Sequence, residues 1–225
     1  MSHPVTLYLV RHGQTEFNLK GLAQGWSNSP LTDAGQEGAA RLGAGLAREG
    51  VRFGLACSSD SGRAVDTARL ILTHAGQADL PRRQDPRLRE WCMGDFEAGP
   101  VDAFLEAFAA KFPGDPLHPD RFHALPDWAD CLLEHNSEGA VQTFDAICQR
   151  LMEGLEDLMR EAEEAGIDNV LVVSHGLAIK TVLYILARDR MDEAGNLKNT
   201  SVCTFRWDGT ALHPLVLNDT HYLEG

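Results

Sequence analysis

Cysteine is scarce in this chain and never clustered: Cys57, Cys92, Cys131, Cys148 and Cys203 are odd in number and widely spaced. No C-x-x-C pair occurs, so neither a zinc knuckle nor a redox motif is suggested, and a reducing cytoplasm is the expected setting. Positive charge is also short. Asp and Glu outnumber Lys and Arg by 33 to 20, for a net charge of -13. Nucleic-acid binding needs a basic stripe that displaces counterions, and this balance argues against it. No apolar run reaches the length of a membrane span. The start, Met1-Ser2-His3-Pro4, lacks the basic segment and apolar stretch of a signal peptide, so none is expected. Repeats and low-complexity tracts are missing too, and nothing in the sequence speaks to oligomeric state.

What is present is the composition of a globular protein: 225 residues, 44% hydrophobic and 24% charged. That length suits one α/β domain over 1–225 with a full core and an inserted segment. Val5–Val10 is a short apolar run followed by a polar, Gly-containing loop, as in a buried parallel strand. Thr32 or Asp33 caps a helix running to about Glu49, with Gly50 as its stop. Phe53–Cys57 reads as a second strand, and a helix follows from about Ser61 to His74. A long amphipathic helix is expected from Glu138 to about Ala165. Val170–Ser174 is the clearest strand, with a helix from Gly176 to about Ala187. Asp208-Gly209 marks a hairpin between Val202–Trp207 and Ala211–Leu217, and Pro214 assigns the last strand to an edge or bulge. The alternation predicts a three-layer α/β sandwich: a mainly parallel sheet with helices on both faces.

Gly94–Ser137 is different. Pro100, Pro113, Pro116, Pro119 and Pro126 break it up, leaving one short helix near Val101–Lys111 and otherwise irregular chain. Two readings fit, a lid that sets specificity and a plain surface excursion; segments of this length favour the lid.

The chemistry-bearing residues fall just beyond the carboxyl ends of strands, where open sheets bind ligands. Arg11-His12-Gly13 follows the first strand, His175-Gly176 follows the Val170–Ser174 strand, and Arg63 opens a helix beyond the second. An acidic protein that gathers these groups on one rim is building an anion pocket. Guanidinium groups of Arg11 and Arg63 match phosphate oxygens bidentately. A neutral His12 imidazole becomes a nucleophile once its other nitrogen is held by an acceptor. Gly13 and Gly176 let backbone approach phosphate, and free N–H groups at the following helix start favour an anion. Glu90, with its pKa raised by burial, would protonate a leaving oxygen. Each has a bland alternative when taken alone: His175 as a strand-end polar residue, Glu90 as a surface ion pair with nearby arginines.

The longer context narrows this. Leu9-Val10-Arg11-His12-Gly13-Gln14-Thr15-Glu16-Phe17-Asn18 resembles the opening motif of the histidine phosphatase superfamily, in its phosphoglycerate-mutase-like branch. Gln24 to Thr32, Ser58-Ser59-Asp60 with Arg63-Ala64, Leu88-Arg89-Glu90 with Gly94-Asp95-Phe96-Glu97, and Val173-Ser174-His175-Gly176 follow in the family's order. The resemblance implies that His12 accepts phosphate, that Arg11, Arg63 and His175 hold the transferred group, and that Glu90 donates the proton. It also implies that Asn18 contacts phosphate and that Gln24 lines the pocket, with no metal and no organic cofactor. The family often has Glu-Gly after the Gly-Asp-aromatic run. Here Ala98-Gly99 follows Glu97, as if with one extra residue.

Mutases of this family add a Lys and paired Arg after the catalytic Glu to hold a second anion. Gly94–Ser137 offers only Lys111 and Arg121 among many acids, so hydrolysis of small phosphate monoesters is expected. A phosphoglycerate mutase, or a non-catalytic phospho-ligand-binding protein, are the alternatives. The lid aromatics Phe104, Phe108, Phe112, Phe122 and Trp128 suit either an apolar leaving group or the lid's own core. His123 or His135 could reach the pocket.

Overall fold

The computed structural model describes residues 3–111 and 124–224. Strands β1 (Val5–Arg11), β2 (Leu55–Ser58), β3 (Arg82–Gln84), β4 (Asn169–Ser174), β5 (Val202–Trp207) and β6 (Leu212–Asp219) form one sheet in the order β3-β2-β4-β1-β5-β6. The first four are mutually parallel, whereas β5 runs antiparallel to both β1 and β6.

The apolar runs read as strands are apolar on both faces because both faces are covered. Leu7 and Leu9 of β1 and Val170 and Val172 of β4 join one core; Val10, Leu171 and Val173 join the other. The second core is completed by α2 (Asp33–Arg48) and α3 (Gly62–His74). The first is completed by α6 (Phe144–Glu164) and α7 (Gly176–Leu186), together with α4 (Val101–Lys111) and α5 (Leu125–Glu134). The three-layer α/β arrangement is therefore the one expected. Among the described residues, no helix is long and apolar enough to cross a membrane.

Local departures have local causes. Helix α6 begins at Phe144, not near Glu138, because Thr143 caps it by accepting the Ala146 N–H at 3.2 Å, while Gly139 upstream sits at φ 70°. The chain read as irregular near Pro126 contains α5, since proline in a first helical turn removes no needed donor. The five-residue α1 (Glu16–Lys20) is held by a capping box between Thr15 and Asn18. Strand β3 is polar and exposed, so it carries no hydrophobic signature. At the other edge, Pro214 lies in β6, and the β5–β6 ladder is bulged near Thr204. Ala98 adopts φ 60°, the left-handed conformation glycine provides without strain.

Candidate active site

Two strand ends bring the histidines together. In the β1–β4 ladder Arg11 lies opposite Ser174, so His12 and His175 leave the sheet side by side with ring centroids 5.2 Å apart. Both are buried. His12 Nδ1 lies 2.8 Å from the Gly13 carbonyl, which only accepts, so Nδ1 carries the proton and Nε2 keeps its lone pair. Arg63 Nε donates to His12 Nε2 at 3.3 Å and to His175 Nδ1 at 3.1 Å. The His175 proton accordingly resides on Nε2, a buried donor with no hydrogen-bond partner among the described residues. Burial first, then the charges of Arg63 and Arg11, hold His12 well below the usual imidazole range; burial and Arg63 do the same to His175. Two neutral imidazoles flank one guanidinium.

Arg63 is anchored through both ends of its guanidinium. Its terminal nitrogens are anchored away from the histidines, Nη1 on Ser27 O and Nη2 on Gly25 O, each at 2.8 Å. Nε is the guanidinium donor turned toward the two histidines. Burial lowers its pKa to about 10, leaving it charged at neutral pH. Arg11 bonds the Leu197 carbonyl through Nη1, while its Nε is buried without a partner among the described residues.

Glu90 reaches the same place from the β3 side. Its carboxylate accepts the N–H groups of Trp91 (3.0 Å), Leu177 (2.9 Å) and Ala178 (2.8 Å), the last two at the start of α7. Burial outweighs these donors and pushes its pKa up. Its backbone carbonyl accepts from Trp26 Nε1 and Arg150 Nη2, both at 3.0 Å. Arg150 also binds the carbonyls of Arg87 and Arg89, clamping the turn that carries the acid.

The remaining expectations divide. Asn18 lines the cleft, and its Oδ1 is occupied by Thr15 N and Asn199 Nδ2, which turns its amide donors to the open side. Gln24 lines the cleft as well, yet its polar ends bond Thr15 and Ser29. Gly176 lies at the cleft, where a Cβ would stand 3.5 Å from Arg11 Nε. Gly13 does not line it: a Cβ there would come within 2.6 Å of Gly35 O, so glycine is required for contact with α2. Arg63 and His175 reach His12 without lining the open cleft. His135 bonds the Cys131 carbonyl and lies tilted against Phe96, outside the cleft. His123, Arg121, Phe112 and Phe122 lie outside the described residues.

The cleft has a volume of about 390 Å³. Beyond the polar groups its wall is apolar, from Leu22, Met93, Val101, Phe104, Leu105 and Trp128. Lys180, missed in the sequence, is buried and lines it too, one turn along α7 from Gly176. The i, i+4 spacing was the available signal. For Arg150 and Asn199, whose partners are mostly backbone carbonyls, no sequence signal existed. Among the described residues there is no group of three or more metal-ligating side chains.

Comparison with known proteins places the chain in a family. The model of the histidine phosphatase superfamily, branch 1, matches residues 7–220. The chain belongs to that superfamily. It is 31% identical over 186 residues to the broad-specificity phosphatase YOR283W of Saccharomyces cerevisiae, covering 81% of this chain and 70% of that one. A phosphoglycerate mutase from Bacillus anthracis superposes with a TM-score of 0.90 at 31% identity, covering 99% of this chain and 96% of that one. A phosphoserine phosphatase from Entamoeba histolytica, solved with 3-phosphoglyceric acid, gives 0.71 at 26% identity over 97% and 99%. Members of this superfamily named in these comparisons are phosphatases or mutases, so an enzyme acting on phosphate esters is indicated.

Proposed function

We propose that the protein is a metal-independent phosphatase of small phosphate monoesters. The observation that carries this reading is His12, buried, neutral and held by Gly13 O in the tautomer that frees Nε2. Nε2 attacks phosphorus, the bond to the ester oxygen breaks, and Glu90 gives that oxygen its proton. Glu90, now a carboxylate, takes a proton from water; the hydroxide attacks the phosphohistidine, releasing phosphate and restoring His12. Arg11, Arg63, His175 and Asn18 hold the transferred oxygens through charge-assisted donors. Residues 94–137 act as the lid of a single domain, with α4 and α5 forming the leaving-group wall. Free thiols throughout suit a cytoplasmic setting.

Lys111, the one lid cation among the described residues, pairs with Glu134 at 2.6 Å, which favours hydrolysis over mutase action. Lys180 favours the mutase reading, since it brings a second cation to the cleft wall. A phospho-ligand sensor needs neither an unprotonated Nε2 nor a buried acid. The deciding experiment is rapid quenching with a labelled aryl phosphate: acid-labile, base-stable label on His12, phosphate release that survives EDTA, and little isomerisation of 3-phosphoglycerate with a bisphosphate primer are expected. Normal turnover by His12→Ala, or activity restored by one divalent ion after chelation, would overturn the proposal.

A further inference from the structure

The half-buried carboxylate of Glu97 takes no part in the chemistry just described, yet it is the most heavily bonded acid near the cleft. Oε1 accepts the N–H groups of Trp26 (2.6 Å) and Met93 (2.9 Å). Oε2 accepts those of Gly25 and Ser27, both at 3.1 Å, and the Ser27 hydroxyl. Three successive N–H groups of the 25–27 loop therefore converge on one side chain.

That loop faces the other way with its carbonyls. Gly25 O and Ser27 O are the acceptors that fix the two terminal nitrogens of Arg63, and they leave Nε pointed between His12 and His175. The Trp26 indole, from the same loop, donates to the backbone carbonyl of Glu90. The Gly25 carbonyl and the Trp26 N–H belong to one peptide unit, so holding that N–H on Glu97 fixes the carbonyl that anchors Arg63 Nη2, while the Ser27 carbonyl is held indirectly, through the N–H and hydroxyl of its own residue. Gly25 must also be glycine, because a Cβ would lie 2.2 Å from Trp91 O.

We infer that Glu97 is a positioning residue for phosphate binding: through the 25–27 loop it aims the Nε edge of Arg63 at the transferred group. The inference rests on the proposed role of Arg63 in holding that group. Although burial opposes it, the Ser27 hydroxyl and the backbone donors keep Glu97 below the usual carboxylate range, so it is ionised wherever the enzyme works. Its charge also offsets that of buried Arg63. Glutamine in its place is nearly isosteric, but its NH₂ would confront N–H donors and push the loop away.

The test is a double-mutant cycle read by calorimetric binding of inorganic phosphate, with thermal unfolding to confirm the fold of each variant. Glu97→Gln weakens phosphate binding about tenfold or more, the scale of lost bonds to a charged group. In an Arg63→Ala background the same substitution changes it by less than about twofold, because the residue it positions is gone. Equal losses in both backgrounds, or a folded Glu97→Gln that binds phosphate like wild type, overturn the inference. If Glu97→Gln does not fold, Ser27→Ala, which removes one hydroxyl contact and keeps the carbonyl, is expected to weaken phosphate measurably; unchanged binding then overturns it. Should Arg63→Ala alone leave phosphate binding intact, the phosphate site itself is wrong, and the failure is traced to that reading.

Discussion

Glu90 and Ala178 are bonded through Oε1 and a backbone N–H at 2.8 Å, so the acid is fastened to the start of the helix that follows His175. The two strand ends and the acid are thereby one rigid unit. Two predictions test what that unit does, and two more concern Lys180 and Ala98.

The first concerns pH. In the proposed mechanism His12 acts neutral and Glu90 acts protonated; the His12 pKa lies below the usual imidazole range and that of Glu90 above the usual carboxylate range. Lowering the pH protonates His12 and raising it removes the Glu90 proton, so kcat/KM for an alkyl phosphate should fall on both sides. Glu90→Gln should lose the alkaline fall. Substrate ionisation is common to both enzymes and cancels in their ratio. A wild-type profile that only rises toward a high-pH plateau would count against the assignment.

The second separates the steps. A nitrophenolate leaves unaided, while an alkoxide needs the proton that general acids supply, typically worth about 10²–10⁴-fold. In a rapid burst, Glu90→Gln should slow His12 phosphorylation by alkyl esters far more than by aryl esters. Steady turnover should suffer for both, since water activation is lost too. Equal losses in the burst would leave Glu90 with a structural role only.

Lys180 supplies the third. Lys180→Met should reduce kcat/KM for 3-phosphoglycerate about tenfold relative to glycerol phosphate, which lacks the carboxylate. An identical reduction for both would show that Lys180 does not meet the leaving group.

The fourth is about stability. Ala98 holds a left-handed backbone at φ 60°, which costs a non-glycine residue about 1–2 kcal/mol. Glycine relieves this but adds entropy to the unfolded chain, about 0.4–1 kcal/mol. Ala98→Gly should therefore stabilise by roughly 0.5–1 kcal/mol, read as a higher denaturant midpoint with an unchanged slope. A lower midpoint would refute the strain.

Much of the fold was legible because β1, β2 and β4 are apolar on both faces and end in polar turns. The boundary of α6 was misjudged where amphipathic spacing ran on past Thr143, and α5 was hidden by proline. His12, His175 and Glu90 were legible as residues, and the structure brings them together. The orientation of Arg63 was not, because its anchors, Gly25 O and Ser27 O, are backbone atoms that any residue there would provide. Gly13 was legible as a required glycine, but the required close approach is to Gly35.

One side of the cleft wall and the reacting groups have separate origins in the chain. Phe104, Leu105 and Trp128 come from α4 and α5, whereas His12, Glu90 and His175 belong to strand ends, a turn and the start of α7. A laboratory selection for new substrates can therefore draw variation from α4 and α5, which carry none of the reacting groups. Lineages obtained this way should diverge in the alcohol they accept while keeping one common rate for dephosphorylating His12.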